Sequence, residues 1–199
     1  MGFDLAVLKN QLNKRGFQTF VCDRKHEAVD LITQSLIDEN DNIIGIGNSM
    51  TIKELGLTDY LSSKTVYVRN PSGSGEDERK ALHADIYFTS ANAVSYDGQI
   101  VNIDGTGNRV AATCYGPKHV VFVIGKNKIA ETLDLAIERA QNAAVALAKH
   151  YGRKTPCTVT GKCEHCLVPE CICAVTAVHR KRLYGNKISV VLVNEEMGL

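Results

Sequence analysis

The sequence has almost no excess of charge: 23 basic residues against 22 acidic ones leave a formal net charge of +1. A chain so balanced carries no general field to gather nucleic acid or an anionic membrane, so neither is expected as a partner and any anion site has to be local. Long apolar runs are missing too, and none approaches the roughly 20 residues that span a bilayer. The opening stretch MGFDLAVLKNQL lacks a basic segment followed by a continuous apolar one. No signal peptide is therefore expected, and the expected location is cytoplasmic. No internal repeat, low-complexity tract or linker interrupts the chain.

What is present is an ordinary globular composition, with 44% hydrophobic and 23% charged residues over 199 positions. A chain of this length buries roughly two-thirds of its unfolded surface, so it needs no covalent staple and is expected to form one domain over residues 1–199. Its seven cysteines are an odd number, and five lie between Cys157 and Cys173. That distribution argues against a disulfide framework and for metal or redox chemistry in a reducing compartment.

The pattern alternates between strands and helices. Phe3, Val7, Leu8 and Leu12 recur at helical spacing before Gly16. Phe17 to Cys22 reads as a strand, Asp23 as a helix N-cap, and Ala28, Leu31, Ile32, Ser35 and Leu36 as one face of the helix that follows. Asn42 to Gly47 reads as a buried strand, and Ser49 to Leu55 as a helix closed by Gly56. Thr65 to Arg69 is a further strand, and a loop covers Pro71 to Gly75. Glu76 to His83 reads as a helix, Asp85 to Thr89 as a strand, and Val94 to Ile103 as a hairpin turning at Asp97-Gly98. Thr106 to Tyr115 is expected helical, His119 to Ile124 a strand, Lys128 to His150 a long helix, and Lys187 to Asn194 a last strand. Such alternation implies a mainly parallel sheet covered by helices on both faces.

Two glycine-bearing turns stand out. In IIGIGNSMT, Gly47, Asn48 and Ser49 lead from a buried strand into a helix, whose free N–H groups suit an anion. The missing lysine excludes a P-loop, and the spacing fails the dinucleotide fingerprint. The same arrangement recurs at Gly105, Thr106, Gly107 and Asn108. Two such turns at the C-terminal ends of strands in one parallel sheet would form a ligand cleft. Read singly, each is equally well a cap with close packing, and Asp104 is either a proton acceptor or a turn-forming residue.

The strings GIGNSMTIKELGL, ANAVSYDGQIVNIDGTGNRVAATCYGPKHVVFVIGKNKIA, TPCTVTGKCEHC and ISVVLVNEEMGL, in this order, resemble the LUD-domain family of lactate utilisation. The resemblance runs from about Asn42 to Leu199. It implies an α/β fold like that of NagB, RpiA and the CoA-transferases, with the strand-to-helix turns forming a cleft for a phosphorylated sugar, a CoA thioester or a related anion. The hairpin and its turn also resemble sugar-phosphate isomerases in which a Gly-Ala-Asp segment supplies a proton-transferring Asp. Here the segment is Ser90-Ala91-Asn92, and Asn92 cannot act as a general base. CoA-transferase chemistry needs a glutamate nucleophile, and none lies between Ala84 and Lys126. Glu54 is nearest the first turn and reads as an exposed helix residue.

The cysteines Cys157, Cys163, Cys166, Cys171 and Cys173, within residues 155–175, offer five soft ligands for zinc or an iron–sulfur cluster. The first three and Cys173 match the LUD relatives that carry this segment. Cys171 stands where those relatives more often have a basic residue, and it is either spare or a substitute for Cys173. Spacing does not separate the two metals, whereas the resemblance favours iron–sulfur. Thiol–disulfide exchange at Cys163 and Cys166 is a rival reading that lacks the flanking strand and helix of a thioredoxin-like site. Cys22 and Cys114 read as packing residues, and His179 to Arg182 as a solvated helix end.

Three functions follow as expectations. One is an accessory protein of lactate or hydroxy-acid utilisation with a small anionic ligand, a metal-holding segment and iron–sulfur oxidoreductase partners, its homodimerisation expected by analogy. Another is an enzyme acting on a sugar phosphate or acyl-CoA through Asp104, Thr106 and Lys128. The last is a redox- or metal-sensing module.

Overall fold

The computed structural model describes residues 2–68 and 74–199. Parts of the expected 65–69 strand and 71–75 loop lie outside the described residues. Helix α1 (Leu5–Lys14) starts at Asp4, whose carboxylate accepts the N–H groups of Ala6 and Val7 at 2.8 and 3.4 Å. Leu5, Leu8 and Leu12 form its buried stripe, whereas Phe3 and Val7, which share the expected helical spacing with Leu8 and Leu12, stay exposed. Strand β1 (Gln18–Cys22) leads to α2 (Lys25–Leu31), which widens into a π-helical turn over Ile32–Leu36. The wider turn changes the buried face to Ala28, Val29, Ile32 and Leu36 and leaves Ser35 exposed. The cap also differs from expectation: Arg24 is the N-cap, and the Asp23 N–H instead donates to Glu27 Oε2 at 2.8 Å.

Strands β2 (Ile43–Ile46) and β3 (Thr65–Val68) follow, with α3 (Met50–Leu55) between them and α4 (Glu76–Ala81) after β3. Then come β4 (Ile86–Thr89), β5 (Ala93–Ser95), β6 (Ile100–Asp104), α5 (Asn108–Cys114), β7 (His119–Gly125) and β8 (Ile129–Ala130). Helices α6 (Leu133–His150) and α7 (Pro156–Thr160) precede the last strands, β9 (Val175–His179) and β10 (Lys187–Val193). Six strands form a wholly parallel sheet in the order β1-β10-β7-β4-β2-β3. Its centre is apolar on both faces, as a parallel sheet must be, and all seven residues of β7 are buried.

The hairpin does not interrupt that sheet. It builds a second one, β8-β5-β6-β9, in which β5 pairs antiparallel with β6 and parallel with β8, and β6 pairs antiparallel with β9. One face of the parallel sheet packs Ile44, Phe88, Val121 and Val191 against α2 and α3. The other face packs Val120, Phe122 and Val190 against Leu8 and Leu12 of α1 and against Val94 and Ile100 of the second sheet. The far side of that sheet, Ala93, Val101 and Ile103, lies on Ala136, Ala140 and Ala144 of α6. Alanines four residues apart keep this helix close to the strands, so enlarging one would overpack the layer at about 1–3 kcal/mol. Helices thus cover both faces, α2 and α3 on one and α1, α4 and α5 on the other, where the helix-backed second sheet adds a further layer.

Two further expectations change. Lys128 does not begin the long helix: it closes a 3-10 turn, β8 follows, and α6 starts after Thr132, whose hydroxyl accepts the Leu135 N–H at 3.3 Å. His179 ends β9 and is buried, so the basic run at 179–182 is a strand end with an exposed loop and not a helix end. Cys171 and Cys173 lie in irregular backbone before β9 and not in a regular strand. Among the described residues, no helix is long and apolar enough to cross a membrane.

Candidate functional site

The two glycine turns meet, although they belong to different sheets. Asn48 from the β2–α3 turn faces Asp104, Gly105, Thr106 and Asn108 from the β6–α5 turn across a cavity of about 440 Å3. A narrower recess of about 40 Å3 continues inward, lined by Ser49, Ser90, Asn92 and Lys128. Asn48, Arg109, Leu147 and Tyr151 line both spaces and so form the passage between them. Asn48 Nδ2 donates to the Tyr151 hydroxyl at 2.7 Å, tying the first turn to the end of α6.

Asp104 is held by backbone. Its Oδ1 accepts the Thr106 N–H at 3.1 Å, and its Oδ2 accepts the N–H groups of Arg109 and Val110 at 3.0 and 3.1 Å. The anion-binding end of α5 is therefore filled by the chain's own carboxylate, which favours the turn-forming role over proton transfer. Ser49 does the same at α3, its hydroxyl accepting from the Ile52 N–H at 3.5 Å. Asn92 is likewise structural. Its Oδ1 accepts from the Ile103 N–H at 3.0 Å and from Arg109 Nη2 at 3.1 Å, and its carbonyl accepts from Arg139 Nη1.

Gly47 and Gly107 do not line either space. A Cβ on Gly47 would fall 2.9 Å from Thr89 Oγ1, so this glycine serves close packing of neighbouring strands. Gly105 has a different constraint, because a Cβ there would stand 2.9 Å from the Ile172 Cα, inside the cysteine-rich segment. That contact seats the segment on the second turn.

Lys128 is the most unusual side chain in the cleft. It is 4% exposed, and its Nζ donates to Thr51 Oγ1 at 2.8 Å and Ser90 Oγ at 3.0 Å, two hydroxyls and no carboxylate. Burial first, then the charges of Arg139 and Arg109, lower its pKa to about 7, with Glu54 pulling the other way. Burial also lowers the pKa of Arg139, whose Nε donates to the Asn127 carbonyl at 2.7 Å. Such a lysine can hold an anion as an ammonium or act as a neutral amine near pH 7.

All five clustered cysteines line a third cavity, of about 240 Å3. Cys157 comes from α7, is buried, and lies 3.1 Å from Thr155 Oγ1. The other four are half-buried in irregular backbone, where His165, between Cys163 and Cys166, takes a left-handed φ of 47°. The Cys173 N–H donates to Cys171 Sγ at 3.4 Å. Burial, then Cys171, Cys163 and Cys157, push the Cys173 thiol up to about 12. Partial burial and the neighbouring Cys171 and Cys157 raise Cys166 as well. Cys173 thus lies within electrostatic reach of Cys171, Cys163 and Cys157, and Cys166 of Cys171 and Cys157, and all seven cysteines are free thiols. As they stand, no three His, Cys, Asp or Glu side chains among the described residues form a group that could hold a metal ion. Cys22 packs in the core as expected, and Cys114 Sγ lies 3.8 Å from His179 Nε2.

Several residues here had no sequence signal. Arg109 follows the second turn directly, and its neighbours Asn108 and Val110 carry no sign that its guanidinium reaches Asn92 and the Ile103 carbonyl. Tyr151 lies 103 positions from Asn48, and Ser90 lies 38 from Lys128, so only the fold brings each pair together.

The family model described as the LUD domain matches residues 5–193. Among solved structures, the crystal structure of a DUF162 family protein from Deinococcus radiodurans is similar at a TM-score of 0.55, with 16% identity over 95% of each chain. No curated protein matches the chain.

Proposed function

We propose, from the premise that the chain belongs to the LUD-domain family, that it is an accessory protein of lactate or related hydroxy-acid utilisation. Its cleft receives a small carboxylate anion, and the thiol cavity beside it receives a soft metal. The observation that carries this reading is a shared wall: Ile103, Cys171 and Ile172 line both the wide cavity and the thiol cavity. A ligand and a metal would then sit side by side, separated by one turn of chain.

The donor set fits a soft metal in its chemistry, since five sulfurs surround one space. It is not preformed, and ligation would draw Cys157, Cys163, Cys166 and Cys173 together, with Cys171 as an alternative to Cys173. Metal binding commonly completes such an irregular segment, so an unformed ligand group is compatible with it. An iron–sulfur cluster would supply one-electron chemistry there, and zinc a structural clasp. Free thiols belong with a cytoplasmic location, and iron–sulfur oxidoreductases or a second copy of the chain are the partners this reading expects.

Anaerobic purification from iron-replete cells, followed by a visible spectrum and iron, sulfide and zinc analysis, tests the metal. Broad visible absorbance with matching iron and sulfide is the expected result, and colourless, metal-free protein overturns it. Calorimetric titration with lactate tests the cleft, where weakened binding by the Arg109→Gln variant is expected.

A further inference from the structure

The recess around Lys128 has features that simple anion binding leaves unused. Its amine is buried, its hydrogen-bond acceptors are hydroxyls, and the guanidiniums of Arg139 and Arg109 lie within electrostatic reach. A carboxylate partner would have kept the amine an ammonium, whereas two hydroxyls can exchange donor and acceptor roles with a neutral amine. The recess is also too narrow for a whole metabolite, while the space outside it takes one easily. A ligand would enter with a small planar end first.

We propose that Lys128 is a nucleophilic amine that forms an imine with a short 2-oxo acid, the carbonyl reaching into the recess and the carboxylate lying by Arg109 at the passage. This deepens the preceding reading and rests on its anion-binding cleft. The amine lone pair forms the C–N bond as the carbonyl π bond breaks onto oxygen. One amine proton passes through the Ser90 hydroxyl, 3.0 Å away, to that oxygen and gives a carbinolamine. The C–O bond then breaks, and the second amine proton leaves with the hydroxyl, so the carbonyl oxygen and both protons depart as one water. No oxidant or reductant is consumed. Thr51, bonded to Lys128 on one side and to the Met197 carbonyl on the other, fixes the amine against the recess wall and acts as a positioning residue.

The test treats the full-length protein with pyruvate and cyanoborohydride, which reduces an imine to a stable amine, and reads intact mass and peptide maps. Expected is a single reduced adduct on Lys128, formed at least 10-fold faster than on any surface lysine and suppressed by excess lactate. Its rate should rise with pH through about 7, while surface lysines respond only near the ordinary lysine value. Lys128→Met, checked by its melting curve, should lose the adduct, and Ser90→Ala should keep Lys128 but label it more slowly. Calorimetry with lactate on the same preparation separates the two readings. Lactate binding without selective labelling overturns the imine and leaves the cleft standing. Labelling spread evenly over lysines also overturns it. Selective labelling without lactate binding keeps the imine and removes the hydroxy-acid reading, and absence of both removes both.

Discussion

The recess around Lys128 and the cavity around Cys173 each share lining residues with the wide cavity, and both bury groups that ionise. The recess is built from hydrogen bonds that leave little to rearrange: Asp104, Asn92 and Arg109 are tied to backbone, and Lys128 to two hydroxyls. The thiol cavity is built from irregular chain and soft side chains that, among the described residues, form no group able to hold a metal ion as they stand. The first is suited to recognising a fixed shape, the second to closing around something that arrives. Their protonation preferences differ in sign too. Burial keeps the base Lys128 from charging and keeps the acid Cys173 from ionising.

That difference predicts opposite responses to alkali. Lys128 has a folded pKa of about 7, below the roughly 10.4 of an unfolded lysine. Between those values the unfolded chain binds the extra proton, so stability rises with pH. Below about 7 both states are protonated and the burial cost is fully present. The stability of the wild type relative to Lys128→Met should therefore stay level below pH 7 and climb by up to about 1.4 kcal/mol per pH unit above it. Denaturant unfolding from pH 6 to 9 measures this, and a level difference throughout would show the amine to be ordinarily protonated. Cys173 behaves inversely in the metal-free protein. Unfolded thiols ionise near about 8.5 while the folded one resists, so stability falls as pH rises through that range.

A smaller effect comes from the seam itself. Gly105→Ala pushes a methyl group into the Ile172 backbone and should cost about 1–3 kcal/mol. Because the same contact seats the cysteine segment, the thiols of Cys171 and Cys173 should also react faster with a maleimide in this variant. Unchanged thiol reactivity would mean that the two cavities are mechanically independent.

Much of this arrangement was legible in the sequence, for reasons that are local. The caps, the apolar stripes and the long apolar strands depend on residues a few positions apart, so α1, α3, β7 and β10 appear close to where spacing puts them. Both glycine turns were found for the same reason. Hidden was whatever depends on distant pairing. β8 is two residues long and exists because it pairs with β5, some 35 positions earlier, and without that partner Lys128 reads as the first turn of a helix. β9 carries only weak alternation, and its pairing with β6 creates the second sheet. The clustered cysteines were conspicuous, but their common cavity needed the irregular course of residues 161–174.

The turn's own carboxylate gives the next contrast. Asp104→Ala removes the acceptor for three backbone N–H groups and should cost about 1–2 kcal/mol, in the range of a lost helix cap. Asp104→Asn retains one acceptor oxygen and should recover part of that loss. If Asp104 instead moved protons in a reaction, both variants would fail in activity by similar large factors whatever their stability. Proportional losses in stability alone would confirm the capping role.

The least costly change falls at the mouth of the cleft. Tyr151 is 40% exposed, and water can replace its hydroxyl when Asn48 Nδ2 loses it as an acceptor. Tyr151→Phe should therefore shift stability by less than about 0.5 kcal/mol. The pair nevertheless bridges the β2–α3 turn and α6 at the passage between the two spaces, so a ligand threading it meets a looser Asn48. Calorimetry should show lactate binding weakened about 3- to 10-fold, equivalent to about 1 kcal/mol, with melting almost unchanged. Equal affinity in the variant would place the ligand deeper or elsewhere, and equal loss of stability and affinity would make the bridge a structural strut of the kind that holds Asp104.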